Sequence, residues 1–175
     1  MARDPYVFLE LDATTRPLML EELELDMETH GRLYAGKLLT ENGLSEYPGL
    51  MRLAIAEHDE VWLTARINEE ERVADQPADA AWRLARTEFN RYYIRGVCRR
   101  AERHRCTTVI PYRAYASREK RLDSILLENE PQSAPRILAN LRGNAIAGDP
   151  ESGLGKVNSG MSARCGCREC VQVPR

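Results

Sequence analysis

Residues 78–104, with the sequence ADAAWRLARTEFNRYYIRGVCRRAERH, decide the fold of this chain. Apolar and aromatic side chains recur in this stretch at helical spacing. They are Trp82, Ala85, Phe89, Tyr92, Tyr93, Val97 and Ala101. This period is typical of an amphipathic helix, so the stretch predicts one long helix that buries its apolar side in a helical bundle.

Two more helices are predicted before this stretch. The first spans roughly residues 18–40 and ends at Asn42-Gly43, a dipeptide typical of a helix C-terminus. The second begins with Ser45 as its N-cap and Pro48 in its first turn, and its apolar side continues to Ala65. Short linkers between three such helices favour antiparallel neighbours in a bundle.

Little β-structure is expected. Residues 107–112 predict a short strand, and residues 5–12 predict an extended segment. Short helices are expected at residues 122–128 and 134–142. A long loop or arm follows, because five glycines stand between Gly143 and Gly160.

The predicted fold class is therefore mainly α, a bundle of about three long helices with a small β element and an extended C-terminal arm. We predict a helical domain over residues 1–142, including the N-terminal extended segment, and a Gly-rich arm with a Cys-rich tail over residues 143–175. A loop this long is usually functional, so we expect residues 143–164 to become ordered against a partner.

The composition is that of a globular protein. Hydrophobic residues make up 43% of the 175 residues and charged residues make up 30%. No apolar run approaches the length of about 18 residues that a transmembrane helix needs. The first residues also lack the apolar run of a signal peptide, so we expect synthesis in the cytosol and no membrane partner.

The net charge of −2 hides a division of charge along the chain. Residues 1–75 carry 17 Asp and Glu against 7 Lys and Arg, whereas residues 83–121 carry 12 Lys and Arg against 3 Asp and Glu. Three interpretations are open. The two parts face each other within one fold, they meet between subunits, or the basic part binds nucleic acid.

The basic segment supplies the candidate contact residues, which lie on the long predicted helix. They are Arg86, Arg91, Arg95, Arg99 and Arg103. Arginine binds phosphates and carboxylates through a planar fork of donors, so these side chains suit a protein interface or a contact with DNA. The competing interpretation is a solvated or internally paired face of the helix.

Residues 165–170, with the sequence CGCREC, form a cluster that suits a metal ion. Three thiolates in one small loop favour zinc, and a tetrahedral site needs a fourth ligand. The predicted zinc ligands are Cys165, Cys167, Cys170 and Cys106. Cys98 or His104 can replace Cys106 in this scheme. The alternatives are a disulfide within the group or thiols that bind nothing; five cysteines cannot form a complete disulfide framework in one chain.

The familiar catalytic motifs are absent from the sequence. It contains no Gly-x-Ser-x-Gly, no His-Glu-x-x-His and no protein-kinase set. Residues 153–156, GLGK, resemble part of a phosphate loop, but Val157 stands where that motif requires Ser or Thr. His58 lies on the apolar line of its helix and is interpreted as structural. We therefore predict that the protein is not an enzyme.

One motif resembles a known family. Residues 85–88, Ala-Arg-Thr-Glu, are followed by Asn90-Arg91-Tyr92-Tyr93 and resemble the Ala-Arg-Thr-Glu helix of minor head proteins of tailed phages, the Mu protein F-like group. Those proteins also tend to close with a Cys-rich segment and a short strand, which residues 163–174 resemble. The His-Pro-Asn before the cysteines is absent, and residues 158–160, Asn-Ser-Gly, stand nearby instead. The resemblance covers about half of the chain, residues 80–172.

The resemblance implies a structural protein of the virion, such as a head, neck, head–tail connector or capsid-associated component, that is assembled in the host cytoplasm. The expected partners are further copies of the chain and other virion proteins such as portal or capsid protein. DNA is a further candidate partner. The alternative hypothesis is a zinc-stabilised nucleic-acid-binding protein.

Overall fold

The computed structural model describes residues 5–69, 72–74, 77, 79–115, 122–148, 151–152, 155–156 and 160–167. The helices in these residues are α1 (Thr15–His30), α2 (Glu41–Glu57), α3 (Glu60–Ile67), α4 (Ala80–Arg103), α5 (Leu122–Leu127) and α6 (Ala134–Gly143). The strands are β1 (Thr108–Arg113), β2 (Gln132–Ser133), β3 (Glu151–Ser152), β4 (Gly155–Lys156) and β5 (Met161–Cys165). The prediction of a mainly helical protein with a small β element is confirmed.

α4 is the central element of the structure. It packs against α1, α3, α6 and β5. Most of its residues between Leu84 and Ala101 are buried, including several charged ones. The long helix predicted over residues 78–104 is confirmed, but α4 is covered on more than one side. Its polar residues therefore need partners inside the fold.

α1 is shorter than the helix predicted over residues 18–40. It ends at His30, and Gly31 follows with a φ of 68°, a left-handed conformation that glycine adopts without strain. Leu33 and Leu38, which fall inside the range predicted to be helical, are buried in the loop that follows. The apolar period continues past the helix end because the loop also packs on the core.

The dipeptide Asn42-Gly43 lies in the first turn of α2 and does not end a helix. Thr40 is the N-cap, and its hydroxyl accepts a hydrogen bond from the Gly43 amide at 3.1 Å. A Cβ on Gly43 would lie 2.3 Å from the carbonyl oxygen of Arg72. This glycine permits a close backbone approach, and the predicted N-cap at Ser45 is corrected to Thr40.

The second predicted helix is two helices. α2 ends at Glu57, and the side chain of Asp59 caps α3 by accepting hydrogen bonds from the amides of Val61 and Trp62 at 3.0 and 2.9 Å. His58 lies at the junction and stacks on Trp62 with ring centroids 4.4 Å apart. The predicted bundle of three long helices is therefore not confirmed. In the described residues α4 has 24 residues, α1 and α2 have 16 and 17, and α3, α5 and α6 have 8, 6 and 10.

β1 is the middle strand of a three-stranded antiparallel sheet with the order β2-β1-β5. Val109 pairs with Cys165 and Tyr112 pairs with Ser162. β5 packs against α4, and its residue Ala163 is fully buried. Part of the segment expected to be an arm therefore belongs to the core. Residues 149–150, 153–154, 157–159 and 168–175 of that segment lie outside the described residues, and the domain boundary at residues 142–143 stays a prediction.

The main core lies between α4 and the elements that surround it. It combines large side chains of α4 with apolar side chains of α1, α2, α3 and α6. Among the described residues, no helix is both long and apolar enough to cross a membrane.

Candidate functional site: the arginine row of α4

The predicted contact residues Arg86, Arg91, Arg95, Arg99 and Arg103, here called the arginine row, all lie on α4. A helix turns by about 100° per residue, so this set cannot share one face. Since α4 has neighbours on several sides, the five guanidinium groups enter different environments.

Arg95 lies in the interior and joins α4 to α1. Its side chain is 0% exposed. It donates to Asp26 Oδ2 at 2.6 Å and Oδ1 at 2.9 Å, and to Glu22 Oε2 at 2.9 Å. The Tyr92 hydroxyl also donates to Asp26, at 2.9 Å. Arg95 is therefore fully occupied by partners within the chain.

Glu22 is shared between two arginines. Arg142 of α6 donates to both of its oxygens, at 2.9 and 2.6 Å, while Arg95 binds Oε2 from the other side. Burial by itself raises the pKa of a carboxyl, but the hydrogen bonds and charges of Arg142 and Arg95 outweigh it and lower the pKa of Glu22. The charged form of Glu22 thus ties α1, α4 and α6 together.

Arg91 fixes the chain that follows α6. Its Nη1 donates to the carbonyl oxygen of Ala145 at 2.6 Å and its Nη2 to that of Ala147 at 2.7 Å. Its Nη2 also lies 3.2 Å from Glu88 Oε1. The side chain is fully buried, so Arg91 orders a loop and does not present a charge to solvent.

Arg86 lies in an aromatic cage. Its guanidinium carbon is 3.7 Å from the ring centroid of Trp82, 4.7 Å from that of Tyr115 and 5.0 Å from that of Tyr6. Cation–π attraction and stacking favour the planar guanidinium in such a position. The cage connects the N-terminal segment, α4 and the end of β1.

Arg99 and Arg103 differ from the other three because they reach the surface. Their side chains are 32% and 53% exposed, and both contact Glu21, at 3.3 and 2.9 Å. The prediction of a contact surface is therefore corrected for Arg91 and Arg95, which have no exposed atoms, and for the largely buried Arg86. Arg99 and Arg103 remain accessible to a partner.

The charge division along the chain matches these contacts. Acidic residues of the first half face basic residues of α4 within the same molecule. The pairs are Asp12–Arg100, Glu21–Arg99, Glu21–Arg103, Glu22–Arg95 and Asp26–Arg95. These contacts support the interpretation in which the two parts neutralise each other inside one fold.

Two residues outside the predicted set of site residues hold β5 in place. The Asn90 side chain donates to the carbonyl oxygen of Met161 at 2.9 Å, and Glu10 accepts from the amide of Cys165 at 2.8 Å. Both side chains are buried. The signal for Asn90 in the sequence is its spacing of three residues from Tyr93 and seven from Val97, which places a polar residue beside the apolar side of the predicted helix.

The cysteine cluster is partly brought together. The thiols of Cys165 and Cys167 lie 3.1 Å apart, and the Cys106 thiol donates to the carbonyl oxygen of Thr108 at 3.4 Å. The fourth predicted ligand, Cys170, lies outside the described residues. No group of three side chains that could hold a metal ion occurs in the part of the chain that the structure describes. Zinc binding by this set stays a prediction.

The alternative ligands are also placed. Cys98 is buried in α4, and burial strongly raises the pKa of its thiol, which disfavours the thiolate that zinc requires. His104 is exposed and caps the C-terminal end of α4.

Comparison of the chain with protein-family models, with curated proteins and with solved structures gave no match.

Proposed function

We propose that the protein is a structural component of a tailed-phage virion, placed at the head or neck, that works through contacts with copies of itself and with portal or capsid protein. The observation that carries the proposal is an exposed apolar surface on α5. Leu122, Ile125 and Leu126 are 68%, 47% and 65% exposed, and their spacing places them on one side of the helix.

Apolar side chains grouped in this way are typical of a surface that another protein covers. Scattered single leucines would need no explanation, but three large side chains within five residues form a patch. An assembly component needs such a surface, and it can form contacts between unlike patches of neighbouring copies.

The contacts made by the Ala-Arg-Thr-Glu motif and the residues after it support the same proposal, because they lie within the fold. Arg86 enters the aromatic cage, Glu88 pairs with Arg91, and Asn90 holds β5. These polar side chains stabilise the architecture, as expected of a motif that maintains a structural fold. The two accessible arginines of the arginine row are paired with Glu21, which lowers the positive charge available to DNA.

The test is sedimentation velocity of the full chain, alone and coexpressed with the proteins encoded by the neighbouring genes. We expect concentration-dependent self-association or co-assembly with a portal or capsid protein, and loss of both in the double variant Ile125→Gln, Leu126→Gln. Leu53→Gln, which alters a leucine of α2 that is 46% exposed, is the control and should leave assembly unchanged. A chain that stays monomeric in every mixture and binds DNA with a steep salt dependence would reject the proposal in favour of nucleic-acid binding.

A further inference from the structure

Cys165 and Cys167 are positioned to react with each other. Cys165 is the last residue of β5, and Cys167 follows after a single glycine. Side chains two residues apart in an extended chain point to the same side. The Cys165 thiol donates to the Cys167 sulfur with 3.1 Å between the two sulfurs.

Contacts with β1 hold the backbone between the two cysteines. The Gly166 amide donates to the carbonyl oxygen of Thr108 at 3.0 Å. A Cβ on Gly166 would lie 2.6 Å from Thr108 Oγ1 and 2.8 Å from Thr108 O. Glycine is therefore the residue that lets the backbone come this close, and the close approach fixes the place of both thiols.

The two thiols differ in accessibility. Cys165 is fully buried, and its amide is bonded to Glu10, whereas Cys167 is partly exposed. A dissolved reagent meets Cys167 first. Cys165 cannot meet the reagent directly, but it lies within reach of whatever bond forms on Cys167.

We propose that Cys165 and Cys167 form a site of reversible oxidation, in which a low-molecular-weight disulfide such as glutathione disulfide converts the two thiols into an intramolecular disulfide. This proposal does not depend on the proposed function. Because only Gly166 separates the two cysteines, the disulfide closes a small loop at the end of β5.

The reaction takes two exchange steps. The Cys167 thiolate attacks one sulfur of glutathione disulfide, which forms a mixed disulfide and releases one glutathione thiolate that takes up a proton. The Cys165 thiolate then attacks the Cys167 sulfur and releases the second glutathione. Two protein thiols are oxidised, one glutathione disulfide is reduced to two thiols, and the new bond requires the sulfurs to approach by about 1 Å, to a disulfide bond length.

Trypsin leaves Cys165 and Cys167 in one peptide and places the other cysteines in separate peptides, which gives the test a direct readout. Cleavage at Arg164 and Arg168 releases residues 165–168 with both proposed partners, while Cys106 and Cys170 fall in residues 106–113 and 169–175. The full chain is incubated with glutathione disulfide, and the remaining thiols are alkylated. The chain is then digested with trypsin, and the peptide masses are measured by mass spectrometry. We expect residues 165–168 to carry no alkyl group, to have lost two hydrogens, and to recover both thiols after dithiothreitol.

Two variants test the order of the steps. In Cys165→Ser, Cys167 should keep a bound glutathione because no second thiol displaces it. In Cys167→Ser, the buried Cys165 should gain neither glutathione nor a disulfide. Glutathione on Cys165 in the second variant, or a main product that links residues 165–168 to residues 106–113 or 169–175, would overturn the proposal. So would a stoichiometric zinc ion that keeps both thiols unreactive until it is chelated.

Discussion

Arg95 binds Asp26 with two parallel hydrogen bonds, from Nη1 to Oδ2 at 2.6 Å and from Nη2 to Oδ1 at 2.9 Å, in the interior between α4 and α1. A planar fork that meets a carboxylate in this way is both strong and directional. Because a buried charge that lost its partner would be costly, the pair permits one placement of the two helices and penalises others.

Replacement of Arg95 should therefore be severe. Arg95→Met leaves Asp26 and Glu22 buried without this cation, and we expect the free energy of unfolding to fall by about 3–5 kcal/mol in urea denaturation. Arg103→Met is the matched control on the same helix. That side chain is 53% exposed and paired with Glu21, so its loss should cost less than about 1 kcal/mol. Equal losses in the two variants would contradict the buried pairing.

The contact between α1 and α4 depends on Gly96. A Cβ at this position would lie 2.6 Å from Met19 Cγ and 3.2 Å from Thr15 Cγ2. Gly96→Ala should lower the free energy of unfolding by about 1–3 kcal/mol, although alanine is the better helix former. Gly49→Ala in α2 has no heavy atom within 4 Å of the new Cβ and should raise stability, by up to about 1 kcal/mol. Thermal or urea denaturation of both variants measures these changes. The prediction requires that the free energy of unfolding falls in Gly96→Ala and rises in Gly49→Ala.

Stability should increase as the pH falls from 7 towards 5. Burial raises the pKa values of Glu10 and Glu60, and the hydrogen bonds from the amides of Cys165 and Tyr6 offset this in part. A carboxyl whose pKa is higher in the folded state than in the unfolded state binds its proton at a higher pH when the protein is folded. Its contribution is complete below the unfolded pKa of about 4.3 and is lost as the pH rises through the folded pKa.

Urea denaturation between pH 7 and pH 5 measures this effect. The wild type should gain stability as the pH falls, and the variant Glu10→Gln, Glu60→Gln should show a smaller gain. Glu22 has the opposite sign, since its lowered pKa makes its contribution disappear only as the pH falls below about 4.3. Glu22→Gln should thus lose stability but keep the gain between pH 7 and pH 5. If the stability of the wild type falls throughout this pH range, Glu10 and Glu60 do not control the pH dependence of stability.

The aromatic cage predicts that Arg86 cannot be replaced by lysine without loss. Lysine keeps the charge but has no planar group to stack on Trp82, so Arg86→Lys should cost about 1–2 kcal/mol of unfolding free energy and change the tryptophan fluorescence. Arg83→Lys, at a side chain that is 58% exposed, is the control. Unchanged stability in Arg86→Lys, together with weaker assembly, would assign Arg86 to an interface instead.

α4 could be predicted from sequence almost to the residue, because a long apolar period leaves few alternatives. The boundaries of α1, α2 and α3 could not. Gly31 and Gly43 are both glycines near a helix end, but one ends a helix and the other lies inside a first turn. The difference depends on the Arg72 backbone that approaches Gly43, and this neighbour comes from a distant part of the chain.

Prediction of the arginine row from the sequence has the same limit, because distant parts of the chain decide the outcome. The spacing of the arginine row correctly places five cations on one helix, but it contains no information on what surrounds that helix. Whether an arginine meets solvent or a carboxylate depends on the packing of α1 and α6, which supply Glu22, Asp26 and Arg142. The cysteine cluster is visible in the sequence, but the sulfurs that meet are not. Cys165 and Cys167 come together because the backbone is extended at the end of β5, where side chains two residues apart point to the same side.

The position of β5 has a consequence for synthesis on the ribosome. Glu10 and Asn90 leave the ribosome long before Cys165 and Met161, the residues whose backbone they bind. Domains generally fold as their chain emerges from the ribosome. Here the helices can pack early, but Glu10 and Asn90 have no β5 backbone to bind until that strand has been synthesised. A nascent chain that stops before residue 161 therefore leaves the face of α4 under β5 uncovered. Native folding should be complete only after translation has passed β5, and ribosome-bound chains stalled before and after this strand should differ sharply in protease resistance.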